Sequence, residues 1–197
     1  MKTFMKSVFI AVIICVIFSM IPFNAGCKNL SRDVFRLHIL ANSDSKADQV
    51  LKIKVRNSVL KYTNTLYKNA KSRQEAEKLT ADSLQKIADI ARQRVYEEGY
   101  DYPVKAQITH MYFNTRYYDK VTMPSGFYNA LRITIGKGEG HNWWCVMYPS
   151  LCVGSSTDYN ALKENTDSQE YDIMTSGKYK FKFKAVEYFE KICSFFS

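Results

Sequence analysis

Hydrophobic and polar positions change rhythm several times along this chain. From Val34 the rhythm is two: Phe35, Leu37 and Ile39 alternate with Val34, Arg36 and His38. Such alternation predicts a half-buried strand. Asn42, Ser43, Asp44 and Ser45 end it, because their short side chains bond nearby backbone N–H groups and favour turns and helix starts. Ser45 with Asp48 has the spacing of a capping box, Asp standing in for Glu. The rhythm then becomes three to four. Val50, Leu51, Val55, Val59, Tyr62 and Leu66 form one stripe of a helix over Ala47–Lys68. Lys52, Lys54, Arg56 and Lys61 fall off that stripe and read as its solvated face. Ser72 and Glu75 cap a second helix, with Ala76, Leu79, Leu84, Ile87, Ala91 and Val95 on its buried side. Gly99 suits the position just past a helix end, and Pro103 blocks an early restart.

Beyond Pro103 the rhythm returns to two. Val104–Phe113 and Phe127–Ile135 are rich in β-branched and aromatic residues. They read as an antiparallel pair joined through the turn Met123-Pro124-Ser125-Gly126. Gly136–Gly140 reads as a tight hairpin connector to a third strand, Asn142–Tyr148 (NWWCVMY). Residues 154–177 lack periodicity and read as loop. The tail, residues 178–196, fits two patterns: Tyr179, Phe181 and Phe183 alternate, while Phe183, Val186, Phe189 and Cys193 suit a helix. A short strand merging into a terminal helix satisfies both. The predicted class is α+β: a mostly antiparallel sheet with a helical pair packed on one face. Residues 30–197 form one extracytoplasmic domain in this reading.

The N-terminus changes the setting. Lys2 and Lys6 precede an uncharged apolar run, Val8–Ile21. This is the pattern of a secretory signal. Residues 1–26 are therefore predicted to lie outside the fold, as a signal peptide or an N-terminal membrane anchor. Ala25-Gly26-Cys27 resembles the end of a lipoprotein signal, but Asn24 is polar where such signals are apolar. Cleavage near Ala25 or Gly26, retention as an anchor, and lipidation at Cys27 all export the rest.

Charge then narrows the partners. The net charge is +9, falling to +7 without Lys2 and Lys6. A basic exported protein is drawn to anionic headgroups or acidic wall polymers. Export argues against nucleic acid.

Candidate chemistry centres on Gly138–Cys152, GEGHNWWCVMYPSLC, which holds both tryptophans. A cysteine nucleophile needs a base within hydrogen-bond reach. On a strand, His141 and Cys145 stand roughly 13 Å apart. Cys145 and Cys152 are too widely spaced for a common zinc pair, and no fourth ligand accompanies His141. Two readings of these cysteines remain open: a disulfide, with Pro149 bending the chain between them, or two buried thiols. Gly136–Gly140 lacks the ending of a phosphate loop and leads into a strand. Asn42–Asp48 lacks the glycine and distal glutamate of a calcium loop. No catalytic residue, metal set or cofactor site emerges.

Two signatures together resemble a known family. Arg36-Leu37-His38-Ile39-Leu40-Ala41-Asn42-Ser43-Asp44-Ser45, with Asp48-Gln49 and Leu51–Arg56, is similar to the N-terminal signature of the stage II sporulation protein R family. Gly138-Glu139-Gly140, then Asn142-Trp143-Trp144-Cys145-Val146 and Pro149-Ser150-Leu151-Cys152, is similar to its second signature. The run MPSGFYNALRITIG also sits where the family has a Pro-x-Gly-x-Tyr segment. Ser150 departs from an expected proline, and His141 from a small residue. The resemblance covers Val34 to Cys152. It implies a non-enzymatic signalling protein, exported from the forespore into the space between the septal membranes. There such proteins activate a membrane-embedded aspartic protease that processes pro-sigma-E in the mother cell. The resemblance makes Arg36, His38, Asn42, Ser43, Asp44, Asp48, Gln49, Asn142, Trp143, Trp144 and Cys145 candidate partner-binding residues. On a strand Trp143 and Trp144 point opposite ways, and Asn42, Asp44 and Asp48 suit the strand-to-helix corner. The rival classes are an exported cysteine-dependent enzyme acting on septal wall and a wall-binding module.

Overall fold

The computed structural model describes residues 2–118, 121–149, 168–177, 179 and 182–184. The chain divides into two compact units. One comprises residues 1–31, 112–126 and 167–197; the other comprises 32–111 and 127–166.

The second unit carries the sheet. Strand β1 (Phe35–Leu40) leads into helices α2 (Lys46–Leu66), α3 (Arg73–Asp82) and α4 (Leu84–Glu97). Strands β2 (Val104–Phe113), β5 (Gly126–Ile135) and β6 (Asn142–Tyr148) follow. The order across the sheet is β2-β5-β1-β6. The three helices lie on one face. Phe35, Leu37 and Ile39 of β1, Leu131 and Ile133 of β5, and Cys145 and Met147 of β6 pack there with Leu51, Val55, Val59, Ala76, Ile87, Ala91 and Val95. Period-two strands meeting period-3.6 stripes give this layer, and its burial is the main stabilising term.

The predicted caps form. The Ser45 hydroxyl accepts from the Asp48 N–H, and the Ser72 hydroxyl from the Glu75 N–H. The second predicted helix is two helices, broken at Ser83, whose φ of −105° and ψ of 10° leave the helical region. Asp82 and Ser83 are weak helix formers that compete for backbone groups, which favours a break there.

The sheet is mixed, which corrects the mostly antiparallel expectation. β1 pairs parallel to β5, with Arg36 opposite Ala130 and His38 opposite Arg132. It pairs antiparallel to β6, with Leu37 opposite Cys145 and Ile39 opposite Trp143. A parallel neighbour needs a crossover, and α2–α4 with β2 supply it. β5 and β6 are therefore not neighbours, and Gly136–Gly140 is not a hairpin connector. It passes the end of β1, which sits between them. Being central, β1 is buried on both faces, not one.

The other unit holds helix α1 (Lys2–Asp33) up to Ser31, a small antiparallel pair β3 (Arg116–Tyr118) and β4 (Val121–Met123), and helix α5 (Ser168–Thr175). α5 lies within residues 154–177, predicted as loop. α1 runs without a break through residue 26, the expected limit of the leader segment. Phe4, Met5, Phe9, Ile10, Ile14, Phe18 and Ile21 are exposed on it, while Phe23 and Cys27 are buried with Ile173 and Phe183. No helix among the described residues is long and apolar enough to cross a membrane. The Phe183 N–H donates to the Tyr179 carbonyl at 2.9 Å, a helical turn where a strand was predicted. The rest of the 178–196 expectation lies outside the described residues.

Candidate functional site: the corner between β1 and α2

The two signature segments meet where β1 gives way to α2. Asp48 is the hub. It is buried, and its Oδ2 accepts from Ser43 Oγ at 2.6 Å and Asn42 Nδ2 at 3.0 Å. Burial opposes its ionisation, but the hydrogen bonds from Ser43, Asn42, Tyr102 and Ser45 outweigh it and hold the carboxyl below its usual range. Gln49 Nε2 donates to the Ser43 carbonyl at 2.9 Å, closing the turn.

The second segment threads onto this turn. The Lys137 N–H donates to Asn42 Oδ1 at 3.0 Å, and the Gly140 N–H to the Ala41 carbonyl at 3.0 Å. The His141 N–H donates to Asp44 Oδ1 at 2.5 Å, and the His141 ring pairs with the same carboxylate. Those bonds hold the Asp44 carboxyl low, the side-chain bond first. Gly140 has a steric reason to be glycine. A Cβ there would sit 2.2 Å from the Ser43 carbonyl oxygen.

Lys52 corrects the solvated-face reading. It is 4% exposed and donates to Gln49 Oε1 at 2.5 Å and the His141 carbonyl at 2.7 Å. Burial lowers its pKa, and Arg56 adds to this while Asp44 opposes it. Arg56 is also drawn inward, its guanidinium 4.3 Å from the Trp143 ring. Val50, placed on the buried stripe by spacing, is 54% exposed instead. The real buried line is Asp48, Leu51, Lys52, Val55 and Val59. Of the two acceptors of Lys52, Gln49 three residues before it was the local one; the other, the His141 carbonyl, had no signal in the spacing. Tyr102 had none either.

The strand carries the remaining signature residues to two faces. Trp143 packs against the helix-side core. Trp144 lies on the opposite face, stacked on His38 with ring centroids 3.9 Å apart. Arg36, also on that face and fully buried, sets its guanidinium 4.8 Å from the Tyr128 ring. Arg36, His38 and Trp144 are thus not brought to the corner. Burial, then the charge of Arg132, lowers the His38 pKa to about 4, against a raising bond from Asn142.

This last shift has a consequence for stability. Between pH 6.5 and 4 the unfolded chain protonates His38 while the folded protein resists. Stability is therefore complete above pH 6.5 and falls as pH drops toward 4. After allowance for partial screening, we expect a loss of about 2 kcal/mol. Urea midpoints at neutral and mildly acid pH test this. His38→Gln should flatten the profile across that window; an unchanged slope would contradict the assignment.

Cys145 is disulfide-bonded and 3% exposed. Its expected partner Cys152 lies outside the described residues. A sulfur held in a disulfide is no nucleophile. Among the described residues, no cluster of three His, Cys, Asp or Glu could hold a metal ion. A separate polar chain, missed from sequence, joins His110, Asn129 and Glu77. Asn129 Nδ2 donates to Glu77 Oε2 at 2.9 Å, so its Oδ1 accepts from His110 Nδ1 at 2.7 Å.

The family model described as stage II sporulation protein R matches residues 31–158, which contain both signatures. A protein named stage II sporulation protein R, from Bacillus subtilis strain 168, is 38% identical over 134 residues. That alignment covers 68% of this chain and 60% of the relative's length. No solved structure matches.

Proposed function

Since this chain belongs to the stage II sporulation protein R family, a family of sporulation proteins, we propose that it is an exported, non-catalytic signal. In this reading it leaves the forespore, reaches the space between the septal membranes, and activates the membrane-embedded aspartic protease that processes pro-sigma-E. The observation that carries the reading is the corner itself. Two segments separated by some ninety residues are locked into one hydrogen-bonded rim, in which the Ser43 hydroxyl and the Asp48 carboxylate are spent on closing the turn.

Only part of the signature can touch a partner. Asp48, Arg36, His38 and Cys145 are buried and support the fold. Asp44, His141 and Asn142 are exposed on the rim, the His141 side chain at 81%. These are the contact residues we assign. A docking surface held rigid loses little entropy on binding. A bound ligand activates only through its preference for the active state of the protease. A thiol enzyme is disfavoured by the disulfide at Cys145.

The test is pro-sigma-E processing in sporulating cells that lack their own family member, with this protein supplied in the forespore. Wild type is expected to restore processing. His141→Ala, which removes the exposed ring and keeps the backbone bond to Asp44, is expected to keep the fold and lower processing about tenfold, since a contact of that kind is worth roughly 1.4 kcal/mol or more. Folded, exported wild type that restores nothing would overturn the reading.

A further inference from the structure

Helix α4 ends in a built turn. The Gly99 N–H donates to the Tyr96 carbonyl at 2.9 Å and the Tyr100 N–H to the Val95 carbonyl at 3.1 Å, with Gly99 at φ of 83°. This pair of bonds is the Schellman closure of a helix, and it reverses the chain. Tyr100 and Tyr102 then stack, their ring centroids 5.1 Å apart. A hydrogen bond from Tyr102 to Asp48, the hub of the corner, fixes the stack further.

Between this turn and α4 lies a cleft of about 290 Å³. Asp89, Arg92, Gln93 and Tyr96 line it from α4, and Tyr100, Asp101 and Tyr102 from the turn. Positions 89, 92, 93 and 96 share one helix face by their spacing. That face is otherwise polar, yet Tyr96 stands on it at 73% exposure. Three phenol rings thus meet in one open cleft.

Most polar groups there are already engaged. Asp89 Oδ1 accepts from Arg92 at 2.7 Å and from Gln85 at 3.0 Å. Gln93 donates to Glu97 at 3.3 Å, and Tyr102 is held by Asp48. The exposed Asp101 carboxylate has no ion-pair or hydrogen-bond partner among the described residues. The groups left for a ligand are ring faces and one carboxylate. Two carboxylates against one guanidinium make the cleft net negative on a chain of net charge +9.

That chemistry selects a cation. Tyrosine faces attract positive charge through the ring quadrupole, and a carboxylate pairs with it. Arginine suits both at once, since its plane stacks on a ring while its fork bonds the carboxylate. A sugar needs several uncommitted hydrogen-bonding groups, and here they are spent.

The cleft adjoins the corner. Tyr102 joins the two through Asp48. Tyr100 also lines a second depression with Lys46, Ala47 and Val50, on the first turns of α2 just after Asp44. The exposed Val50 lies there, off the buried stripe.

We propose that this cleft receives an arginine side chain of the protein's partner, held against the ring faces of Tyr96 and Tyr100 with its guanidinium on Asp101. The proposal rests on the signalling reading for what the partner is, and extends its contact surface beyond the Asp44–His141 rim.

The first test needs no cells. N-acetyl-arginine methylamide, titrated into isotope-labelled protein, should shift the amide signals of Tyr96, Tyr100 and Asp101 with a dissociation constant of roughly 10 mM or tighter. Asp101→Asn and Tyr96→Ala should each weaken binding about fivefold or more. Both side chains are exposed, so thermal midpoints should stay within about 2 °C of wild type. Asp82→Asn removes the same charge from an exposed position outside the cleft and should leave binding unchanged. Absence of saturable shifts at these amides, or binding indifferent to both changes, would overturn the proposal. So would tighter binding of a trisaccharide of N-acetylglucosamine at the same amides.

The second test is pro-sigma-E processing. Folded, exported Asp101→Lys should lower it about tenfold or more, because two cations then face each other. Full processing by that variant beside active wild type would overturn the cleft's role and leave the signalling reading standing. Inactive wild type would overturn the signalling reading, and the titration would still decide whether the cleft holds arginine.

Discussion

Replacing Asp48 with alanine should cost this protein about 3 kcal/mol of stability. Asp48 is buried and accepts from Ser43 Oγ and Asn42 Nδ2, among other partners. Alanine removes the acceptor and leaves the Asn42 amide and Ser43 hydroxyl as donors without it. Both donors are partly buried, so water replaces the lost acceptor only incompletely. For a chain of this length the thermal midpoint should fall by roughly 10 °C. Ser45→Ala is the comparison. It deletes one cap, in which Ser45 Oγ accepts from the Asp48 N–H at 3.1 Å, and should cost about 1 kcal/mol. If the two variants melt together, Asp48 is a cap partner and not the hub of the corner.

Gly140→Ala should be comparably severe for a different reason. Its Cβ would lie 2.2 Å from the Ser43 oxygen, 2.5 Å from the Ser43 carbonyl carbon and 3.0 Å from the Ala41 Cβ. Two of these are backbone atoms and cannot rotate away. The segments must separate, straining the Gly140–Ala41 bond and the His141–Asp44 bond beside it. A cost of about 3 kcal/mol follows, at the upper end for overpacking. Gly99→Ala isolates the backbone effect. Gly99 has φ of +83° with nothing within 4 Å, so alanine there should cost only about 1 kcal/mol. Urea midpoints of both variants decide the matter. Equal losses would mean the corner is looser than its distances indicate. If the protein acts as proposed, Gly140→Ala should also weaken pro-sigma-E processing beyond its effect on stability, because the exposed rim is carried by the same bonds.

The corner illustrates how legible the site was. Asn42, Ser43, Ser45 and Asp48 announce a turn and a cap through their side-chain chemistry, and they form both. Nothing local announces that the Lys137 and Gly140 N–H groups will bond to Asn42 and Ala41. Lys52 shows the same limit. Spacing alone sends a lysine among other lysines to solvent, because a buried ammonium needs an acceptor. One of its two acceptors is the His141 carbonyl, 89 residues away.

By itself the sequence determined the class, α+β, the caps at Ser45 and Ser72, the strands from Val104, Phe127 and Asn142, and the opposite facing of Trp143 and Trp144. Each is a local quantity, set by side-chain period or by hydrogen bonds within a few residues. Only the tertiary structure decided that β1 lies between β5 and β6, parallel to one and antiparallel to the other. Alternation says which face of a strand is buried, but not which strand lies beside it. Pairing is chosen by packing of the whole apolar layer. The same holds for α1, whose apolar run reads alike whether it faces lipid or core. Phe23 and Cys27 became structural only when Ile173 and Phe183 folded against them.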